Sequence, residues 1–141
     1  MTTTEPTTRS VIVEKEFPHP PEKLWRALTE KSLLEQWLMK NDFEPAAGHA
    51  FTFRMDPVKG WNGVIECEVL AIEPCRVLAY TWGALGLGSV VTFTLTPTDT
   101  GTLLRMEQSG FGEHQDAAYK GAKYGWQNFM SNLERVVDGL A

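Results

Sequence analysis

The sequence predicts an α+β domain in which a curved antiparallel sheet wraps around one long C-terminal helix. Apolar residues recur every second position through the middle of the chain, and they change to three-then-four spacing in residues 114–141. Short turns separate the strand-like segments, which implies hairpins. One helix lying across such a sheet buries all the apolar faces at once.

Length and composition restrict the class of protein. A chain of 141 residues suits one domain, which we expect over residues 9–141, after a Thr-rich disordered tail at residues 1–8. The net charge of −5 opposes a nucleic-acid binder, which would carry a basic face. No apolar run suits a membrane span and no signal sequence is visible, so we expect a cytoplasmic protein without membrane insertion.

The N-terminal part predicts one strand followed by two short helices. Residues 10–17 alternate like a strand, and Pro20 and Pro21 suit the first turn of a helix over residues 22–28. A second helix is expected over residues 31–39, capped by Thr29. A loop follows.

Five strands and their turns are expected next. Their predicted ranges are 51–55, 64–72, 77–82, 90–95 and 102–108. Residues 83–88 contain three glycines and are expected to form a loop. Its spacing does not suit a phosphate-binding loop, because a strand rather than a helix follows it.

The last segment, residues 114–141, predicts the long helix. Gly139 is a natural end for it. Gly121 and Gly125 are anomalous, because glycine in a helix costs about 1 kcal/mol relative to alanine. They either admit a strand or loop close to the helix or leave open space, and we expect close packing.

Six short motifs carry a family resemblance. They occupy, in order, residues 17–25, 34–37, 73–78, 91–95 with 101–102, 109–111, and 125–126 followed by Leu133. With this order of elements, the chain resembles the START-like (SRPBCC) superfamily, and within it the branch named for the activator of heat-shock-protein-90 ATPase. The resemblance implies the helix-grip fold that birch-pollen-allergen-like proteins share. Departures occur at Leu38, where the family often has a second Trp, and at Gln108, where it often has His.

The resemblance also implies a cavity between the long helix and the concave sheet. The side chains expected to line it and contact a ligand are Trp37, Phe53, Met55, Tyr80, Trp82, Phe93, Met106, Gln108, Tyr119, Trp126 and Met130. A concave apolar surface with a few polar groups suits a small molecule. The alternative is that these side chains interdigitate as a solid core.

Polar groups at inward positions need partners. The Gln108 amide is expected either to bond a ligand or to pair with Tyr119, another side chain or the backbone. Tyr80 and Tyr119 are expected to be buried phenols that are satisfied internally. For the loop at residues 83–88 we consider three roles: a gate over the cavity mouth, a mobile turn or a dimer contact.

No catalytic constellation is visible. His19, His49 and His114 lie in separate segments without metal-ligand spacing, so no metal or other cofactor is expected. Cys67 lies inward in the middle of a strand, which is typical of a core residue rather than an activated thiolate.

The favoured function is therefore binding of an apolar or amphipathic, lipid-like small molecule by a monomer or weak homodimer. An enzyme of the cyclase or hydrolase kind, using the same cavity, is the second class. A stress-related module that contacts a chaperone is the third, and it is implied only by the family name.

Overall fold

The computed structural model describes residues 9–57, 60, 62–84, 87–112 and 114–140. The strands are β1 (Arg9–Phe17), β2 (Lys40–Asn41), β3 (Ala50–Arg54), β4 (Val64–Glu73), β5 (Val77–Ala84), β6 (Leu87–Pro97) and β7 (Thr102–Phe111). The helices are α1 (Pro21–Thr29), α2 (Lys31–Trp37) and α3 (Asp116–Asp138). This order confirms the α+β, helix-grip prediction, while the expected tail lies outside the described residues.

All the strands join one antiparallel sheet with the order β1-β7-β6-β5-β4-β3-β2. Its register aligns the apolar faces of neighbouring strands. Phe93 of β6 lies opposite both Leu78 of β5 and Met106 of β7, and all three side chains are fully buried. The alternating pattern therefore identified the inward face correctly, because side chains of period two line one side of a sheet.

The two short helices follow the first strand as expected. Pro21 begins α1 and Pro20 precedes it, which confirms the predicted role of the prolines. The prediction that Thr29 caps the second helix is wrong. Thr29 is the last residue of α1, and its hydroxyl donates to the Trp25 carbonyl at 2.7 Å, so it is not available to α2.

The expected loop at residues 83–88 is instead the end of a hairpin. Gly83 pairs with Gly88 and Ala84 pairs with Leu87, so β5 and β6 continue to a two-residue connection. Glycine suggested a loop, but backbone pairing across the hairpin holds these residues in the ladder. The connection at residues 85–86 lies outside the described residues, so the gate, turn and dimer interpretations stay predictions.

Helix α3 divides into two halves with different surroundings. Its four buried residues are Trp126, at the middle of the helix, and Met130, Leu133 and Val137 in the C-terminal half. The helix packs against β1, β7, α1 and α2. Gly139 follows α3 as expected, and its N–H donates to the Arg135 carbonyl at 3.2 Å. The N-terminal half lies over the sheet without filling the space below it.

Candidate ligand-binding site

A cavity of about 540 Å³ lies between the N-terminal half of α3 and the concave face of the sheet. Strands β4, β5 and β7 contribute to its wall, as does the segment that follows α2. Its described lining residues are Met39, Ile65, Trp82, Gln108, His114, Gln115, Ala117, Ala118, Gly121, Ala122, Gly125, Trp126 and Phe129. A concave, mainly apolar space of this size is typical of small-molecule sites.

The two helical glycines face this space. A Cβ atom added to Gly121 would meet nothing within 4 Å, and one added to Gly125 would meet only the Phe129 ring, at 4.0 Å. The expected close packing of a strand or loop against these glycines is therefore wrong. They are small where the cavity is open, and so are Ala118 and Ala122 on the same side of the helix.

Aromatic rings from β5 and from α3 itself form another part of the cavity wall. The rings of Trp82 and Trp126 lie 5.4 Å apart, and Phe129 packs edge-on against Trp126 at the same separation. Both tryptophans are buried, so their rings are held in place by the core behind them. A rigid aromatic wall of this kind desolvates an apolar ligand without having to become ordered on binding.

A chain of hydrogen bonds crosses the floor of the cavity. The Trp126 indole N–H donates to Gln108 Oε1 at 2.7 Å, and Gln108 Nε2 donates to Ser89 Oγ at 2.9 Å. The Ser89 hydroxyl then donates to the Trp82 carbonyl at 2.8 Å. Of the partners expected for Gln108, the structure therefore shows other side chains, and not Tyr119. We call Trp126, Gln108, Ser89 and the Trp82 carbonyl the Gln108 chain.

The structure divides the sequence-predicted ligand contacts into three groups. Trp82, Gln108 and Trp126 line the cavity. Most of the others are fully buried in the core, and two lie nearer the surface. The buried residues are Trp37, Phe53, Tyr80, Phe93, Met106 and Met130. Contact of any of these side chains with a ligand stays a prediction.

Met55 and Tyr119 are not fully buried. The expectation that Met55 faces inward is wrong, since its side chain is 48% exposed and follows the end of β3. Tyr119 is only half-buried, so the expectation of a buried phenol is also wrong there. Its ring packs on Phe111, and the Arg9 guanidinium lies 4.3 Å from the ring centroid.

Tyr80 shows a second departure from expectation. Its ring lies among Phe43, Phe51, Phe53 and Phe93, and its buried hydroxyl has no hydrogen-bond partner in the described part of the chain. The predicted internal partner is therefore missing. Burial raises the pKa of this phenol well above its ordinary value, so the hydroxyl stays protonated.

Replacing Tyr80 with phenylalanine is expected to raise the free energy of unfolding by about 1 kcal/mol, because the unpaired hydroxyl is no longer desolvated on folding. Urea denaturation measures the change. Tyr119→Phe, at a half-buried position, serves as the control and should stay within about 0.5 kcal/mol of wild type. A loss of stability in Tyr80→Phe would contradict the interpretation and would show that a water or another group bonds the hydroxyl.

Titratable groups are scarce at the cavity. Among its described lining residues, His114 alone is titratable, and it is exposed beside the start of α3. Cys67 lies outside the lining, and burial raises its pKa to about 12, so the thiol is protonated at neutral pH. Within the described ranges, no group of three or more His, Cys, Asp or Glu side chains is placed to hold a metal ion.

Sequence reasoning missed most of the helical lining. Ala117, Ala118, Gly121, Ala122 and Gly125 share one face of α3 at three-then-four spacing, which is a readable signal. Small residues on the side of a helix that faces the sheet leave room where large residues would fill it. Met39, His114 and Gln115 gave no comparable signal, because they lie at or beyond helix ends.

Solved structures resemble the chain over nearly its whole length. Protein MLL2253 from Mesorhizobium loti is 56% identical, with a TM-score of 0.88, over 94% of this chain and 99% of that one. Protein BH1534 from Bacillus halodurans is 26% identical, with a TM-score of 0.78, over 92% and 96% of the two chains. CalU16 from Micromonospora echinospora is 22% identical, covers 94% of this chain and 78% of that one, and with a TM-score of 0.76 shows the same fold.

The comparison with curated proteins finds no match. A family model described as "Activator of Hsp90 ATPase homolog 1-like protein" matches residues 18–138. This range extends from the turn before α1 to the end of α3, and so it includes every element that lines the cavity. The chain therefore belongs to the family of Activator of Hsp90 ATPase homolog 1-like proteins.

Proposed function

We propose that the protein binds one apolar or amphipathic small molecule in the cavity beneath α3 and does no chemistry on it. The family and the fold fit a ligand-binding domain. The observation that carries the proposal is the pair of α3 glycines that line the cavity, the exposed Gly121 and the half-buried Gly125, where an added Cβ atom would meet almost nothing. Each glycine destabilises the helix by about 1 kcal/mol relative to alanine. In return, the missing side chain keeps the adjoining volume open.

The Gln108 chain supports a mainly apolar ligand. Both ends of the Gln108 amide already have protein partners, so the buried amide does not need a polar group from the ligand. An amide can still accept a second bond at its oxygen and donate a second from its nitrogen. A ligand would therefore be held by desolvation against Trp82, Trp126 and Phe129, with at most secondary polar contacts.

The scarcity of titratable groups supports binding over catalysis. General acid–base chemistry needs a positioned donor and acceptor, and His114 is the one titratable side chain among the described lining residues. A cyclase or hydrolase would need a second such group.

A chaperone partner, a cytoplasmic location and the oligomeric state stay predictions. None of the helices in the described ranges is long and apolar enough to cross a membrane.

Native mass spectrometry of the purified protein, followed by organic extraction, tests the proposal. We expect one small molecule per chain, or, if it is lost during purification, saturable binding of added decanol. Trp82 and Trp126 line the cavity, so decanol should change the tryptophan emission. The proposal would be overturned if the mass spectrum showed only the mass of the chain and if decanol changed neither the tryptophan emission nor the melting temperature.

A further inference from the structure

A surface groove adjoins the cavity and shares two of its wall residues. The groove has a volume of about 510 Å³ and is lined by Leu38, Met39, Lys40, Arg54, Met55, Asp56 and Phe129. Met39 and Phe129 line the cavity as well, so these two half-buried side chains separate the two spaces. A methionine has three rotatable side-chain bonds, which makes such a partition easy to open.

Two cationic residues, Lys40 and Arg54, line this groove. Lys40 of β2 lies directly opposite Arg54 of β3 in the antiparallel register, and like charges in that position are destabilising. Neither side chain forms an ion pair within the described part of the chain. The arrangement is unexpected in a chain with a net charge of −5.

Arg54 is held in position by its neighbours. Its Nε donates to Thr52 Oγ1 at 3.0 Å, which leaves the other guanidinium nitrogens to meet a further partner. The nearby Asp42 carboxylate accepts the Thr52 N–H at 2.6 Å, and this bond, with a smaller contribution from Arg54, lowers the pKa of Asp42. Asp56 is the one acid among the described lining residues of the groove, so those residues carry two cations and one carboxylate.

The groove also exposes apolar surface. Met55 is 48% exposed, one of four large apolar side chains so placed among the described residues, and it lines the groove with the two cationic residues. Apolar surface that continues from the cavity and ends at two cations is complementary to a molecule with an apolar body and an anionic end.

We infer that the ligand is an anionic amphiphile. Its apolar body occupies the cavity, it passes Met39 and Phe129, and its carboxylate, sulfate or phosphate group lies between Lys40 and Arg54. An anion at this position would remove the repulsion between the two cations, and that relief contributes to binding. The inference depends on the proposed function, because it assigns the ligand of the same cavity.

Three probes that share one alkyl chain test the inference on the full-length protein: decanoate, decanol and decylamine. At low salt we expect decanoate to bind at least about tenfold more tightly than decanol, and decylamine to bind most weakly. The negative net charge of the protein would by itself favour the amine, so this order is informative. Raising the salt concentration should reduce the advantage of decanoate.

Variants locate the anionic group. Lys40→Gln and Arg54→Gln are each expected to weaken decanoate binding by about threefold to tenfold while decanol changes by less than about twofold. Lys123→Gln removes an exposed lysine of α3 that lines neither space, and it should bind both probes like wild type. Ligand-free Lys40→Gln should melt no lower than wild type, because a like-charge pair is removed.

The outcomes separate the inference from the proposed function. Equal binding of decanol and decanoate, or a decanoate affinity unchanged in both Gln variants, would overturn the anionic end group and leave the cavity as the binding site. Failure of every probe to bind would overturn both. Decyl phosphate distinguishes the source of the charge, and tighter binding than decanoate would support a phosphate ester over a carboxylate.

Discussion

Gly125→Leu is expected to lower the affinity for decanol by at least about thirtyfold, which corresponds to about 2 kcal/mol. The backbone of α3 accepts a side chain at this position, because the Cβ atom would meet only the Phe129 ring at 4.0 Å. The remainder of the leucine then occupies the cavity volume that the ligand needs. Leucine is also a better helix former than glycine, so the free energy of unfolding should stay equal or rise.

Isothermal titration and thermal melting of the same samples measure the two effects separately. Gly125→Ala is the matched control, since it gives the same helical advantage but fills little of the cavity. We expect it to raise the melting temperature and to change the decanol affinity by less than about threefold. A folded Gly125→Leu variant that binds decanol like wild type would show that the ligand lies elsewhere. A large drop in its melting temperature would contradict the open space beside α3.

The fold followed from the sequence because its signals are local and repeated. The alternation through Phe93 and Met106 identifies the buried face of each strand whatever its neighbours are, and the register then places those faces together. The errors occurred where a local signal has two structural outcomes. Gly83 and Gly88 suggested a loop but pair across a hairpin, and β2 is only two residues long, too short to form a pattern.

The site was harder to predict because alternation gives the side of the sheet but not what covers it. Tyr80 and Trp82 point to the same side of β5, yet only Trp82 reaches the cavity. Phe43, from the loop after β2, is fully buried and packs against Tyr80 and Phe51. That contact fills one end of the concave face, and nothing in the sequence around Phe43 indicates it.

Gln108→Leu is expected to lower the free energy of unfolding by about 2–3 kcal/mol. The substitution keeps most of the side-chain volume but removes the acceptor of the Trp126 indole N–H and the donor to Ser89. The Ser89 hydroxyl keeps its bond to the Trp82 carbonyl, so the indole N–H is the group left buried without a partner. Urea denaturation measures the loss, and circular dichroism checks that the variant folds.

A double-mutant cycle separates the hydrogen bond from general damage to the core. Trp126→Phe removes the indole N–H, so the double variant has no unsatisfied buried donor. Its loss in the free energy of unfolding should therefore be smaller than the sum of the two single losses by about 1–2 kcal/mol. Val137→Ala is the control, because Val137 lies eleven residues after Trp126 in α3, roughly 16 Å away by helical rise. Its loss should add to that of Gln108→Leu within about 0.5 kcal/mol. Additive losses for Gln108 and Trp126 would mean that the bond contributes no specific stability, and that packing alone holds the wall of the cavity.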